Sequence, residues 1–168
     1  MNARQPAPGG LALIEDLVNT LLDITTGEDA LDRAETRERF GIAAGGGLDE
    51  ARELRESLRA ACLAHAGHPP HRTVTPLGEL LARAPLRVAV DERDGAASLV
   101  PVRGDSLAGL VAAAIAEARG DGTWARLKAC EATDCHWAYY DRSPAGRGRW
   151  CDMAVCGARA KMRRYRAK

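Results

Sequence analysis

With 168 residues, the chain is long enough for one domain with its own core plus a small appendage. Apolar residues make up 46%, charged residues 28% and aromatics only 4%, the balance of a soluble globular protein whose core must be aliphatic. No apolar run is long enough to span a membrane, and the first apolar stretch, residues 11–22, is broken by Glu15, Asp16 and Asn19 and follows no basic segment, so a cytoplasmic protein with no membrane partner is expected.

Residues 1–9 are rich in Pro and Gly and are expected to be flexible. Over residues 11–24, Leu13, Ile14, Leu17, Val18, Leu21 and Leu22 recur at intervals of three and four, which predicts an amphipathic helix ended by Thr25-Thr26-Gly27. A weaker helical pattern covers residues 28–40. Gly45-Gly46-Gly47 then makes a joint, lacking the Lys and Ser/Thr of a phosphate-binding loop. Residues 48–66 place Leu48, Ala51, Leu54, Leu58, Ala61 and Cys62 on one face of a third helix, whose other face is Arg and Glu.

His65, His68 and His71 have the spacing of metal ligands, but Gly67 and Pro69-Pro70 mark this stretch as a linker. Thr75-Pro76 predicts a helix start, with Thr75 as cap and a stop before Pro85. Residues 86–90 alternate, Asp94-Gly95 offers a tight turn and residues 98–102 follow, the pattern of a β-hairpin. Asp105 or Ser106 then caps an Ala-rich helix running to about Arg119.

Four of the five cysteines form two matched pairs, Cys130-x4-Cys135 and Cys151-x4-Cys156, with fifteen residues between them; Cys62 stands alone. In a reducing compartment such pairs read as a metal site rather than as disulfides. Zinc takes four ligands in a tetrahedron at roughly 2.3 Å from sulfur, and two short-spaced pairs closing a longer loop supply that geometry. One structural Zn2+ is the expectation, since four thiolates leave no open position for a catalytic water. His136 adjoins Cys135 and is read as a packing or surface residue, with a substitute-ligand or hydrogen-bonding role as the alternative. The first pair reads as a knuckle between strand-like residues 125–129 and 136–140, and the second opens a terminal helix, a treble-clef-like arrangement. On that helix Ala158, Met162 and Tyr165 form one apolar stripe, expected to pack on the knuckle.

The run Trp124-Ala-Arg-Leu-Lys-Ala-Cys130, with Asp134-Cys135-His-Trp137, Tyr140-Asp141-Arg142-Ser143 and Arg149-Trp150-Cys151-Asp-Met153-Ala154-Val155-Cys156-Gly157-Ala158-Arg159, closely resembles the CGNR zinc-finger family. Ala158 stands where that family's Cys-Gly-Asn-Arg element has Asn. Glu15-Asp16-Leu17-Val18-Asn19-Thr20 and Leu54-Arg55-Glu56-Ser57-Leu58-Arg59 more loosely resemble the ABATE domain, which usually precedes that finger in stress-responsive transcription regulators. The fold class expected is therefore α+β: a mostly helical N-terminal domain with a β-hairpin over residues 10–120, then a four-cysteine finger over residues 124–168 ending in a basic helix.

Charge divides along the same line. Residues 124–168 carry 11 basic against 4 acidic side chains, whereas the first 123 residues are net −6. The cations Arg142, Arg147, Arg149, Arg159, Lys161, Arg163, Arg164, Arg166 and Lys168 point to phosphate, and hence to double-stranded DNA, as the partner. A solvated helix that offsets its own dipole, or a zinc-stabilised module that binds an acidic protein, are the alternatives. Asp16, Asn19 and Arg33 are the candidate pocket for a small-molecule effector, and the N-terminal domain the candidate dimerisation element. Nothing resembles a nucleophile with its base, so no enzymatic activity is expected; a pocket with strongly shifted titratable groups is what an enzyme would need.

Overall fold

The computed structural model describes residues 5–43, 46–104 and 106–167. Residues 1–4, Gly45 of the expected joint, Asp105 as a cap and Lys168 of the basic set lie outside the described residues.

The three-and-four spacing forms α1 (Leu11–Val18), which buries Leu11, Ile14, Leu17 and Val18. The predicted continuation to residue 24 is corrected: Leu21–Asp23 (β1) instead makes a short hairpin with Glu28–Asp29 (β2). Asp23 is the cause, because its carboxylate accepts the backbone N–H groups of Thr25 and Thr26 and the Thr25 hydroxyl, a turn that outcompetes helix. The helical pattern over residues 28–40 likewise divides into β2, a single 3₁₀ turn, Ala30–Asp32, capped by Asp29, and α2 (Ala34–Arg39). The N-terminal segment expected to be flexible is tied down over residues 5–9. The Ala7 N–H donates to buried Glu15 at 2.7 Å and Arg142 donates to the Pro6 carbonyl at 2.6 Å.

The central helix is α3 (Gly47–His65). Its pattern predicts one packed face, yet it buries Arg55, Glu56, Ser57 and Arg59 as well as Leu54, Leu58, Cys62 and Leu63. Pro76 opens α4 (Leu77–Leu81), but Thr75 does not cap it, because its hydroxyl donates to Glu53. β3 (Leu86–Val90) and β4 (Ala97–Pro101) pair antiparallel, Val90 opposite Ala97, around Gly95 at φ 73°. They pack on α5 (Leu107–Gly120), whose cap is Ser106, its hydroxyl accepting the Gly109 N–H. β5 (Leu127–Ala129) and β6 (Ala138–Tyr140) form a third hairpin, and a wide π-type turn, Met153–Gly157, leads into α6 (Ala158–Arg166).

One aliphatic cluster joins Leu17 and Val18 of α1, Leu54 and Leu58 of α3, and Val111 and Ala114 of α5 to Leu127, Ala129 and Ala138 of β5 and β6. The cysteine-bearing hairpin thus shares the core of the helices before it. No described helix is long and apolar enough to cross a membrane.

Candidate metal centre and nucleic-acid interface

Cys130 leaves the end of β5, Cys135 precedes β6, Cys151 stands just before the π-type turn and Cys156 lies within it. Their four sulfur atoms lie within 4.8 Å of one another. Cys135–Cys151 and Cys151–Cys156 are 3.6 and 3.7 Å apart. Sulfurs about 2.3 Å from a common ion at tetrahedral angles stand about 3.8 Å apart, so the cluster fits one zinc and is too open for disulfides. Without a cation, crowding favours one thiolate: hydrogen bonds from Cys135 and Cys151 hold Cys130 low, and the same sharing pushes the thiols of Cys135 and Cys151 up. A dication lets all four ionise together.

Residues around the sulfurs fix them. Cys130, Ala132 and Cys156 form a small second core, closed by Trp150. Gly157 lies under that ring; a Cβ there would stand 3.2 Å from Trp150 and 3.1 Å from the Met153 sulfur. Asp152 caps the turn by accepting from Ala154 and Val155 at 2.7 and 3.1 Å. Arg159 donates to the Cys156 sulfur at 3.2 Å and reaches Asp134 at 3.0 Å. The Cys-Gly-x-Arg element therefore has a physical basis: a ligand, a position where a Cβ would crowd Trp150 and Met153, and a guanidinium that ties the helix to the knuckle. Ala158, in the third position, is exposed.

His136, directly after Cys135, is not among the sulfur-cluster residues. It is buried, stands at φ 51°, and its ring Nδ1 pairs with the Cys130 carbonyl at 3.0 Å.

Below the knuckle, Lys128 and Asp141 form a buried ion pair at 2.8 Å, and Asp141 also accepts the N–H groups of Ser143 and Gly148. Burial pushes the Asp141 carboxyl up, but these bonds outweigh it and hold the group well below the usual range. The loop between the cysteine pairs is thereby wound around one carboxylate.

The chain belongs to the ABATE family. That family model, described as "Putative stress-induced transcription regulator", matches residues 11–122, and the CGNR zinc-finger model matches residues 126–168. No curated protein matches the chain.

The basic set of the CGNR finger is not one patch. Arg149 pairs with Glu131 and leans on Trp150, Arg142 is spent on Pro6 and the Tyr140 ring, and Arg159 on the knuckle. Arg147, Lys161, Arg163, Arg164 and Arg166 are exposed, and no carboxylate among the described residues stands within ion-pair distance of them. The expected apolar stripe does not pack on the knuckle: Ala158 is exposed, Met162 is 51% exposed and Tyr165 77%. Trp150 already closes the sulfur core, so α6 projects with contacts mainly to its own lead-in turn.

Neither of two clefts found among the described residues is lined by Asp16, Asn19 or Arg33. Asp16 faces Arg39 at 4.0 Å and Arg33 faces Glu28 at 3.5 Å. Asn19 exchanges two hydrogen bonds with the backbone of Ala138, at 3.0 and 2.8 Å, and so docks the finger on α1. A cleft of about 850 Å³ lies elsewhere, between α3 and the knuckle, and is lined by Asp29, Arg55, Glu56, His71 and His136 among others. Sequence alone weighs His71 and His136 and sets them aside, and does not place Asp29, Arg55 and Glu56 at a site. The signal was present in three charges on α3, Arg55, Glu56 and Arg59, lying one turn or less apart between Leu54, Leu58 and Cys62.

Proposed function

We propose that this protein is a DNA-binding transcription regulator in which the CGNR finger presents α6 to duplex DNA. The observation that carries the reading is the exposed, carboxylate-free set Lys161, Arg163, Arg164 and Arg166 on a helix anchored to the sulfur cluster through Arg159. With its side chains an α-helix is about 10–12 Å across, which fits a major groove about 12 Å wide, and nine residues run about 13 Å along it. The zinc, when bound, serves to fix the fold of the knuckle. The N-terminal domain then has the role of sensing or dimerising; the exposed Val88, Val90 and Leu99 on the β3–β4 hairpin support a second copy as its partner.

Fluorescence anisotropy with labelled duplex tests this. Binding that weakens steeply with salt is expected, and replacing Arg163, Arg164 and Arg166 with Ala should lower the slope of log K against log salt by up to about 0.9 per lost phosphate contact. Unchanged binding in that variant would sink the reading.

The exposed Met162 and Tyr165, with Met153 and Val155 nearby in sequence, favour a second reading, in which α6 lies in a groove of an acidic protein. Absence of duplex affinity at low salt selects it.

A further inference from the structure

The cleft between α3 and the knuckle has walls from both halves of the chain: Asp29, Arg55, Glu56 and His71 from one, Glu131, Thr133 and His136 from the other. Its four carboxylates are each answered by arginine. Asp29 is met by Arg55 and Arg52, Asp32 by Arg52, Glu56 by Arg55 and Arg59, and Glu131 by Arg149. Arg72 is the cation on the wall that no carboxylate among the described residues pairs.

Beside it, on the loop set aside as a linker, two imidazoles are left incomplete. His71 is nine-tenths buried; its Nε2 meets Glu56 at 3.1 Å and its Nδ1, shielded from bulk water, bonds to nothing. His68 Nε2 also bonds to nothing and stands 3.7 Å from Glu131, beyond hydrogen-bond length. An orphaned buried nitrogen of this kind costs stability unless something pairs it. With Nε2 of His71 committed to Glu56, Nδ1 is the ring atom left to meet a ligand's carboxylate. Leu21, Ile24, Leu63, Pro69 and Pro70 supply apolar wall for the rest of a ligand.

We infer that this cleft binds a small organic carboxylate, its acid group against His71, His68 and Arg72 and its carbon skeleton on the aliphatic wall. The regulatory reading gives such a ligand a purpose, as effector, but the binding itself does not depend on that reading. Since the knuckle forms one wall, the ligand and the folded finger support each other.

Calorimetric titration of the zinc-loaded full chain, without DNA, tests the inference with benzoate as probe and benzamide as its neutral isostere. Saturable benzoate binding is expected, at least about tenfold tighter than benzamide. His71→Asn and Arg72→Gln should each weaken benzoate about tenfold or more while zinc content and circular dichroism stay unchanged. Arg72 is exposed and has no side-chain bond to another described residue, so its variant keeps the test valid if His71→Asn fails to fold. The Arg163/Arg164/Arg166→Ala variant should bind benzoate normally, which separates this site from the DNA reading. Absence of saturable binding would mean that water serves the two imidazoles and would overturn the proposal. Equal binding of benzamide, or benzoate binding unaffected by both substitutions, would overturn it as well. Metal-stripped protein should lose the site, and binding unchanged by stripping would remove the knuckle from it.

Discussion

The guanidinium of Arg59, fully buried on α3, donates to the carbonyl of His136 at 2.7 Å, and its other nitrogen donates to the Val18 carbonyl at 2.7 Å. One side chain thus spans the end of α1 and the residue after the second cysteine. His136 has φ 51°, a left-handed conformation that costs a non-glycine residue about 1–2 kcal/mol, and this hydrogen bond helps to hold it there. Arg59→Met should leave Glu56 with one fewer cation and the knuckle without its tether. A loss of about 3–5 kcal/mol is expected in urea unfolding, with faster zinc transfer to a chelator.

Glu56 carries a pH signature. Burial alone pushes its carboxyl up, but the hydrogen bond from His71 and the charges of Arg59 and Arg55 outweigh it and hold the group well below its ordinary value of 4.5. A depressed folded-state value means that this carboxylate stabilises the fold fully above pH 4.5 and progressively less as pH falls below it. Glu56→Gln should therefore be less stable than the parent at pH 7, with the gap narrowing below pH 4.5. The difference between the two proteins in denaturant titrations isolates this effect from acid release of zinc, which both share.

Thiol chemistry checks the metal centre. Zinc-loaded protein should contain one zinc per chain and show no fast reaction with a thiol reagent at neutral pH. Chelation should expose Cys130, Cys135, Cys151 and Cys156 together. Cys62 should stay silent until denaturant is added, because complete burial pushes its thiol up to about 12.

Two contacts outside the sulfur cluster are also measurable. Asn19→Ala removes both bonds to Ala138 and should cost about 1–3 kcal/mol, a fall of several degrees in Tm. Gly148→Ala places a methyl group 2.9 Å from the Asp141 carboxylate and should cost about 1–3 kcal/mol in the same assay.

The sulfur cluster was legible in the sequence because ligand spacing is local: each pair spans one turn, and four thiols have few other uses. The β3–β4 hairpin and the capped start of α5 were legible for the same reason, each resting on turn or cap residues within a few positions. The 11–24 pattern misled because Asp23, Thr25 and Thr26 build a turn out of side-chain hydrogen bonds that hydropathy does not register. Asn19 read as a pocket residue because its partner lies 119 residues away. Arg55, Glu56 and Arg59 read as a solvated face, since a charge cluster that neutralises itself inside a protein has the same composition as one in water. His71 was hidden by Pro69-Pro70, which mark a loop correctly but say nothing of its depth.

Leu127, Ala129 and Ala138 lie in the same aliphatic cluster as Leu17 and Leu58. A fragment cut just before Trp124 would carry those side chains into water and leave a hole behind them. Proteolysed chains lacking the first hundred residues would lose the interior that β5 and β6 pack against, so an ordered finger is expected only where those residues are present and folded. The shared interior thus couples the order of the basic helix to the folding of the residues that precede it.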